Sequence, residues 1–205
     1  MTEQAVKTVI LSCGVGYNLT HILDAFRFEE LPGIELTAVI TDDPACFALE
    51  RARLNSVEGC AVERAMFPSQ KSFDKALFDK IDDLDSRLVV CADWPYPLSR
   101  EILQRWENAV IYPWPSLLPA FGDPMLSPLE IQKRILADGE CAAGVSACLF
   151  RGDGAPDRVL EQTVVEILPE DTPEALLRRI WQEGAGIVLP KAMNVWCAGQ
   201  PDKTE

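Results

Sequence analysis

The chain has 205 residues, 48% apolar and 25% charged, with a mean hydropathy of +0.02, enough for one domain whose core needs neither disulfides nor a structural metal. Its 32 acidic residues outnumber 19 basic ones, giving a net charge of −13 and a pI near 4.5, which argues against nucleic acid or an anionic membrane as partner. No apolar run approaches bilayer-spanning length, and Met1-Thr2-Glu3-Gln4 lacks the basic-then-apolar layout of a secretory leader, so the expected location is cytoplasmic.

Lys7–Leu11 reads as a buried strand. It leads through Cys13-Gly14-Val15-Gly16-Tyr17-Asn18 into a helical run whose Leu19, Ile22, Leu23 and Phe26 share one face. Strand Leu36–Thr41 feeds a helix over about Ala45 to Asn55, and a short strand is expected near Cys60–Val62. A helix over Gln70–Asp83 carries Phe73, Ala76, Leu77, Ile81 and Leu84 at helical spacing. Strand Leu88–Cys91, helix Leu98–Trp106 and strand Ala109–Tyr112 follow. This alternation predicts an α/β fold: a mostly parallel, twisted sheet with helices on both faces and strand carboxyl ends gathered at one ligand-binding edge.

The pattern then changes. Tyr112-Pro113-Trp114-Pro115-Ser116-Leu117-Leu118-Pro119 carries too many prolines for a helix or central strand and reads as an ordered loop. Ser127-Pro128-Leu129-Glu130 is a capping box that opens a helix running to about Ala137 and stopping near Gly139. Two antiparallel strands are expected at Gly144–Phe150 and Arg158–Ile167, joined by the turn-rich Arg151–Asp157. Thr172-Pro173 opens a last helix carrying Leu176, Leu177, Ile180 and Trp181, which Pro190 should kink or restart. No repeat or composition break divides residues 1–205 into separate domains.

Several segments could carry chemistry. Gly14-Val15-Gly16, between a strand and a helix N-terminus, could present free N–H groups to an anion, or could be only a tight turn. The Pro/Trp segment could wall a pocket, or could be a crossover anchored by Trp114. Asp153 and Asp157 could ionise usefully, although turn aspartates commonly bond their own backbone. Seven cysteines without a C-x2-C pair read as small buried hydrophobes; Cys13 and Cys148 are the candidates should a thiol act as nucleophile. The single histidine, His21, makes a histidine-based metal site untenable, and no metal is expected.

Together these segments resemble the folate-dependent formyltransferase fold family, and within it the branch that formylates glycinamide ribonucleotide. The resemblance covers nearly the whole chain. It is carried by Leu49-Glu50-Arg51-Ala52-Arg53, by Pro115-Ser116-Leu117-Leu118-Pro119, by Gly144-Val145-Ser146, and less specifically by Cys13–Leu19 and Glu183. It implies a nucleotide- or phosphate-binding half over 1–112, and a folate-side half with the C-terminal helix over 113–205. It also implies phosphate contacts from Gly14, Gly16, Tyr17 and Asn18, a ribose-hydroxyl contact from Glu183, and 10-formyltetrahydrofolate or another folate as the one-carbon carrier.

In that family an acceptor amine attacks the formyl carbon, and an N-x-H-P-S-L-L-P asparagine and histidine stabilise the oxyanion and shuttle protons. Here those two positions hold Tyr112 and Trp114, and the family's later aspartate falls at Ala155, leaving Asp153 and Asp157 as displaced candidates. Indole donates a hydrogen bond but takes up no proton near neutral pH. Trp94, Tyr96, Trp114, Ser116 and Phe121 could instead line a pocket for a planar ligand. Two expectations result: a divergent, repurposed one-carbon transferase holding a small phosphorylated or folate-like molecule, or an inactive member serving as a binding or protein-interaction module. Neither reading assigns an oligomeric state.

Overall fold

The computed structural model describes residues 5–199; Met1–Gln4, on which the leader reading rests, lie outside them, as do residues 200–205. β1 (Val6–Ser12) leads into α1 (Tyr17–Arg27), β2 (Ile34–Thr41) into α2 (Phe47–Leu54), and β3 (Glu58–Ala61) into a 3-10 turn (Arg64–Met66) and α3 (Gln70–Asp83). β4 (Leu88–Asp93), α4 (Arg100–Arg105) and β5 (Val110–Trp114) continue the alternation. After α5 (Pro128–Ala137) come β6 (Ala142–Phe150) and β7 (Pro156–Glu166), then α6 (Pro173–Arg179), a π-helical turn (Ile180–Ala185) and α7 (Gly186–Ala198).

All seven strands join one sheet in the order β3-β2-β1-β4-β5-β6-β7, parallel through β5 and antiparallel at β5–β6 and β6–β7. Consecutive residues Val9, Ile10 and Leu11 of β1 and Leu88, Val89 and Val90 of β4 are completely buried. Since neighbouring strand side chains face opposite ways, both sheet faces are covered, which explains why these strands read as unbroken apolar runs. α7 packs on α1 and against β4 to β7, so the last helix covers the half of the sheet that runs from β4 to the β7 edge. Among the described residues no helix is long and apolar enough to cross a membrane.

Three departures from expectation have local causes. β5 does not stop at Tyr112 but continues through Pro113 and Trp114, which pair with Ala147 and Ser146 of β6. Its pairing with β4 ends at Ile111, so beyond that point β5 has a free side, where the missing proline N–H breaks no ladder. α4 is shorter than Leu98–Trp106, because Ser99 accepts the N–H of Ile102 and sets its start. The break in the last helix falls at Ile180–Ala185, ahead of Pro190, which lies inside α7.

Candidate functional site

The adjacent strands β2, β1 and β4 end at Thr41-Asp42, Ser12-Cys13 and Asp93-Trp94, forming the carboxyl edge that parallel sheets use for ligands. Gly14 and Gly16 both have left-handed backbones, with φ of 59° and 68°. Gly16 also lies against Ala48, 3.4 Å from where a Cβ would sit. The turn therefore needs glycine for its conformation, and at Gly16 it also packs on α2.

Donors on either side of this loop, at the end of β1 and in the first turn of α1, face inward. Asn18 is buried and gives its amide to Ala92 O at 3.2 Å and Asp93 Oδ1 at 2.9 Å. Its own backbone N–H reaches Asp93 Oδ1 at 3.2 Å, while the N–H of Leu19 and the hydroxyl of Ser12 both reach Asp93 Oδ2 at 3.1 Å. Tyr17, the first residue of α1, is 51% exposed. Asp93 went unmarked in the sequence. The signal it offers is slight: a single acid closing an apolar strand, which pairs with Ser12 of β1.

The aromatic residues expected to share one pocket divide into two groups. Trp94 is buried, stacked 6.1 Å from Phe73 of α3, and Tyr96 meets both rings edge-on at 5.4 and 5.6 Å. The Tyr96 hydroxyl donates to Asp42 Oδ2 at 2.6 Å, and that bond pushes the phenol up to about 12. Beside this cluster, Asp42, Asp43, Glu63, Arg64, Ala65 and Phe67 line an open cavity of about 590 Å³. Trp114 and Tyr112 belong to the second group, 6.1 and 4.9 Å from the ring of Phe150. Among the described ring contacts none joins the two groups. Of the residues read as one wall, Trp94 and Tyr96 thus pack around Phe73 and Trp114 packs beside Phe150.

Around Trp114 the hydrogen-bonding groups serve the loop itself. Its indole N–H donates to Phe121 O at 3.1 Å, and the buried Ser116 hydroxyl donates to Ala120 O at 2.6 Å. Ser146 on β6 holds the same loop: its hydroxyl donates to Ser116 O at 2.6 Å and accepts from Leu118 N at 3.0 Å and Gln162 Nε2 at 2.7 Å. Gln132 of α5 donates to Pro115 O at 2.7 Å, and Leu118–Pro119 is cis. A Cβ on Gly144 would lie 2.5 Å from Leu117 Cδ2 and 2.3 Å from Thr163 O, so glycine there lets Leu117 seat on the sheet. Burial pushes the Tyr112 phenol far above its ordinary range, which disqualifies it as a base at neutral pH.

The remaining candidates lie apart. Asp153 is exposed, and the N–H of Ala155 with the Arg151 guanidinium holds its carboxyl below the usual range. Asp157 borders a cavity of about 230 Å³ with Leu118, Pro119, Gly122, Pro156 and Val159. Glu183 is exposed on the π-helical turn. His21 packs on α7, where a Cβ on Gly186 would come within 2.3 Å of its ring. Burial and the Asp42 carboxylate raise the Cys13 thiol, and burial pushes Cys148 up to about 12, so neither supplies a thiolate. Among the described residues no cluster of His, Cys, Asp and Glu is placed to hold a metal ion.

Comparison with known proteins places the fold. The family described as Formyl transferase matches residues 6–193, and the chain belongs to it. The crystal structure of glycinamide ribonucleotide transformylase 1 from Symbiobacterium toebii superposes with a TM-score of 0.81 at 31% identity, covering 95% of this chain and 89% of that one. Phosphoribosylglycinamide formyltransferase from Brucella melitensis gives 0.79 at 25% identity, covering 97% and 98%. Among curated sequences, the chloroplastic phosphoribosylglycinamide formyltransferase of Vigna unguiculata is 27% identical over 188 residues, 89% of this chain. The trifunctional purine biosynthetic protein adenosine-3 of Drosophila pseudoobscura pseudoobscura is 27% identical over 201 residues, 97% of this chain. The chain spans 58% of the former's length and 14% of the latter's.

Proposed function

We propose that this formyl transferase binds a small planar ligand of the folate type at the carboxyl edge of its sheet and does not formylate glycinamide ribonucleotide at an enzyme's rate. The observation that carries the reading is the state of the β5 end. Tyr112 and Trp114 stand where the family pattern has its oxyanion donor and proton shuttle, and the one polar hydrogen of Trp114 is committed to Phe121 O. Formyl transfer requires the attacking amine to lose a proton, the tetrahedral oxyanion to be held, and the departing folate nitrogen to gain a proton. An indole cannot receive the first proton, and its N–H points into its own loop. Losing an oxyanion donor costs a factor of about 100 to 1000, and losing a general base about 100 to 10,000.

Ligand binding is supported separately. The 590 Å³ cavity falls in the size range of small-molecule sites, about 300 to 1000 Å³. Phe67 offers a flat apolar wall, and the Asp42 and Asp43 carboxylates suit the amino-pyrimidine edge of a pterin, whose donors pair with carboxylate oxygens. As a one-carbon donor, 10-formyltetrahydrofolate would place the same pterin there. The test is a titration with tetrahydrofolate read by melting and tryptophan fluorescence. Stabilisation of about 2.7 kcal/mol is expected at a hundredfold excess over Kd, and it should be lost in Phe67→Ala. If no folate or other planar heterocycle stabilises the chain, an inactive protein-interaction module becomes the better account.

One observation favours a second reading, a repurposed one-carbon transferase. Asp157 borders the 230 Å³ cavity beside Leu118 and Pro119, where it could accept a proton from an amine seated against that loop. On this reading 10-formyltetrahydrofolate is consumed with a non-nucleotide amine, and Asp157→Asn abolishes the consumption.

A further inference from the structure

The anion slot expected at the start of α1 is already filled by the chain itself. Asp93 accepts four hydrogen bonds there, two on each oxygen, from Ser12 Oγ, the backbone N–H groups of Asn18 and Leu19, and the Asn18 amide. These backbone N–H groups are among those a helix N-terminus leaves free for a phosphate. The contacts join the end of β4 to the end of its sheet neighbour β1 and to the first turn of α1, so they belong to the fold rather than to a surface side chain turning inward.

The surroundings reinforce it. Asn18 commits its donor side to Asp93 and Ala92, and its Oδ1 is buried without a partner, a lone acceptor where a phosphate would need a donor. At the same edge Asp42 and Asp43 follow β2, and Glu63 lines the larger cavity with them. The cations nearby are turned to other work: Arg51 gives its Nε–H to Val15 O at 2.7 Å, and Arg64 donates to Phe67 O at 3.1 Å. An incoming phosphate would find the Asn18 and Leu19 N–H groups taken, and the Asp93 carboxylate already seated on them.

We infer that Asp93 is the internal anion of this loop and determines specificity, so that the ligand taken at the carboxyl edge carries no phosphate. This deepens the proposed function and rests on its placing of the ligand at that edge. It identifies the ligand class as non-phosphorylated molecules, in contrast to the phosphoribosyl compounds named for the relatives.

The full chain and Asp93→Gly are titrated calorimetrically with ribose 5-phosphate and with ribose, and melting curves establish that both proteins fold. The native chain is expected to show no preference for the phosphorylated sugar. Asp93→Gly, with the slot vacated, should bind ribose 5-phosphate at least about tenfold more tightly than the native chain, the gain shrinking with added salt. If Asp93→Gly does not fold, Asp93→Ser, which shortens the side chain and removes its charge, is judged by the same criterion. A tenfold preference of the native chain for ribose 5-phosphate over ribose overturns the inference, as does a folded variant with no gain. Phosphate preference without turnover defeats this inference alone, whereas rapid formylation of glycinamide ribonucleotide defeats the proposed function.

Discussion

Trp114 and Asp93 are the two side chains on which the proposed function and the inferred specificity turn. In both cases a hydrogen-bonding group that could face a ligand faces the protein instead. Removing the indole N–H in Trp114→Phe orphans the Phe121 carbonyl and should lower stability by about 1 kcal/mol in denaturant unfolding, with no loss of formyl transfer to glycinamide ribonucleotide. Thiol chemistry gives a second check. With Cys148 pushed up to about 12, its thiolate at pH 8 amounts to on the order of one part in ten thousand, so iodoacetamide should label exposed Cys141 long before Cys148. Rapid labelling of Cys148 in the folded chain would contradict the burial that raises it. Trp114 was readable from sequence because it interrupts a distinctive motif. Asp93 was not, because its partners Ser12, Asn18 and Leu19 lie 74 to 81 residues away and only strand pairing brings them together.

At the level of elements, the P-S-L-L-P segment is held from three sides, by Ser146 and Gln162 on the late strands and by Gln132 on α5. Ser146→Ala removes the buried hydroxyl that the Leu118 N–H, the Ser116 carbonyl and the Gln162 amide share, and should cost about 1 to 3 kcal/mol. Gly144→Ala drives a methyl group into Leu117 and Thr163 O and should cost at least about as much through overpacking. Variants as stable as the native chain would show that the loop is held by something else. Signals local to a few residues were legible: the Ser127–Glu130 capping box opens α5 where expected. The Ser69–Ser72 box at α3 was overlooked because serine at its fourth position is a weaker mark than glutamate. The extension of β5 through Pro113 depends on where β4 stops pairing, which no residue of β5 encodes.

Across the whole molecule, apolar runs and their alternation with helices were sufficient to define the mostly parallel sheet, because strands buried on both faces leave an unmistakable pattern. The order of strands and the inward turn of polar side chains emerge only on assembly. Acid sensitivity is one property of the assembled chain. Hydrogen bonds from Arg179 hold the Asp171 carboxyl below the usual range, so its contribution to stability is complete above the unfolded value near ~3.9 and is lost as pH falls through the lowered folded value. Asp171→Asn should therefore reduce stability by about 1.5 to 3 kcal/mol at neutral pH and flatten the acid limb of the stability curve. A native and a variant curve of equal slope below pH 4 would contradict that assignment.

The most direct test of the proposal that Tyr112 and Trp114 leave this formyl transferase unable to handle the protons of formyl transfer is a single-turnover reaction with 10-formyltetrahydrofolate and glycinamide ribonucleotide at saturating enzyme. A rate at least about ten-thousandfold below that of a family member bearing the asparagine and histidine is predicted. A rate within tenfold of that member would mean that another group in this chain moves the protons, and the account would fail.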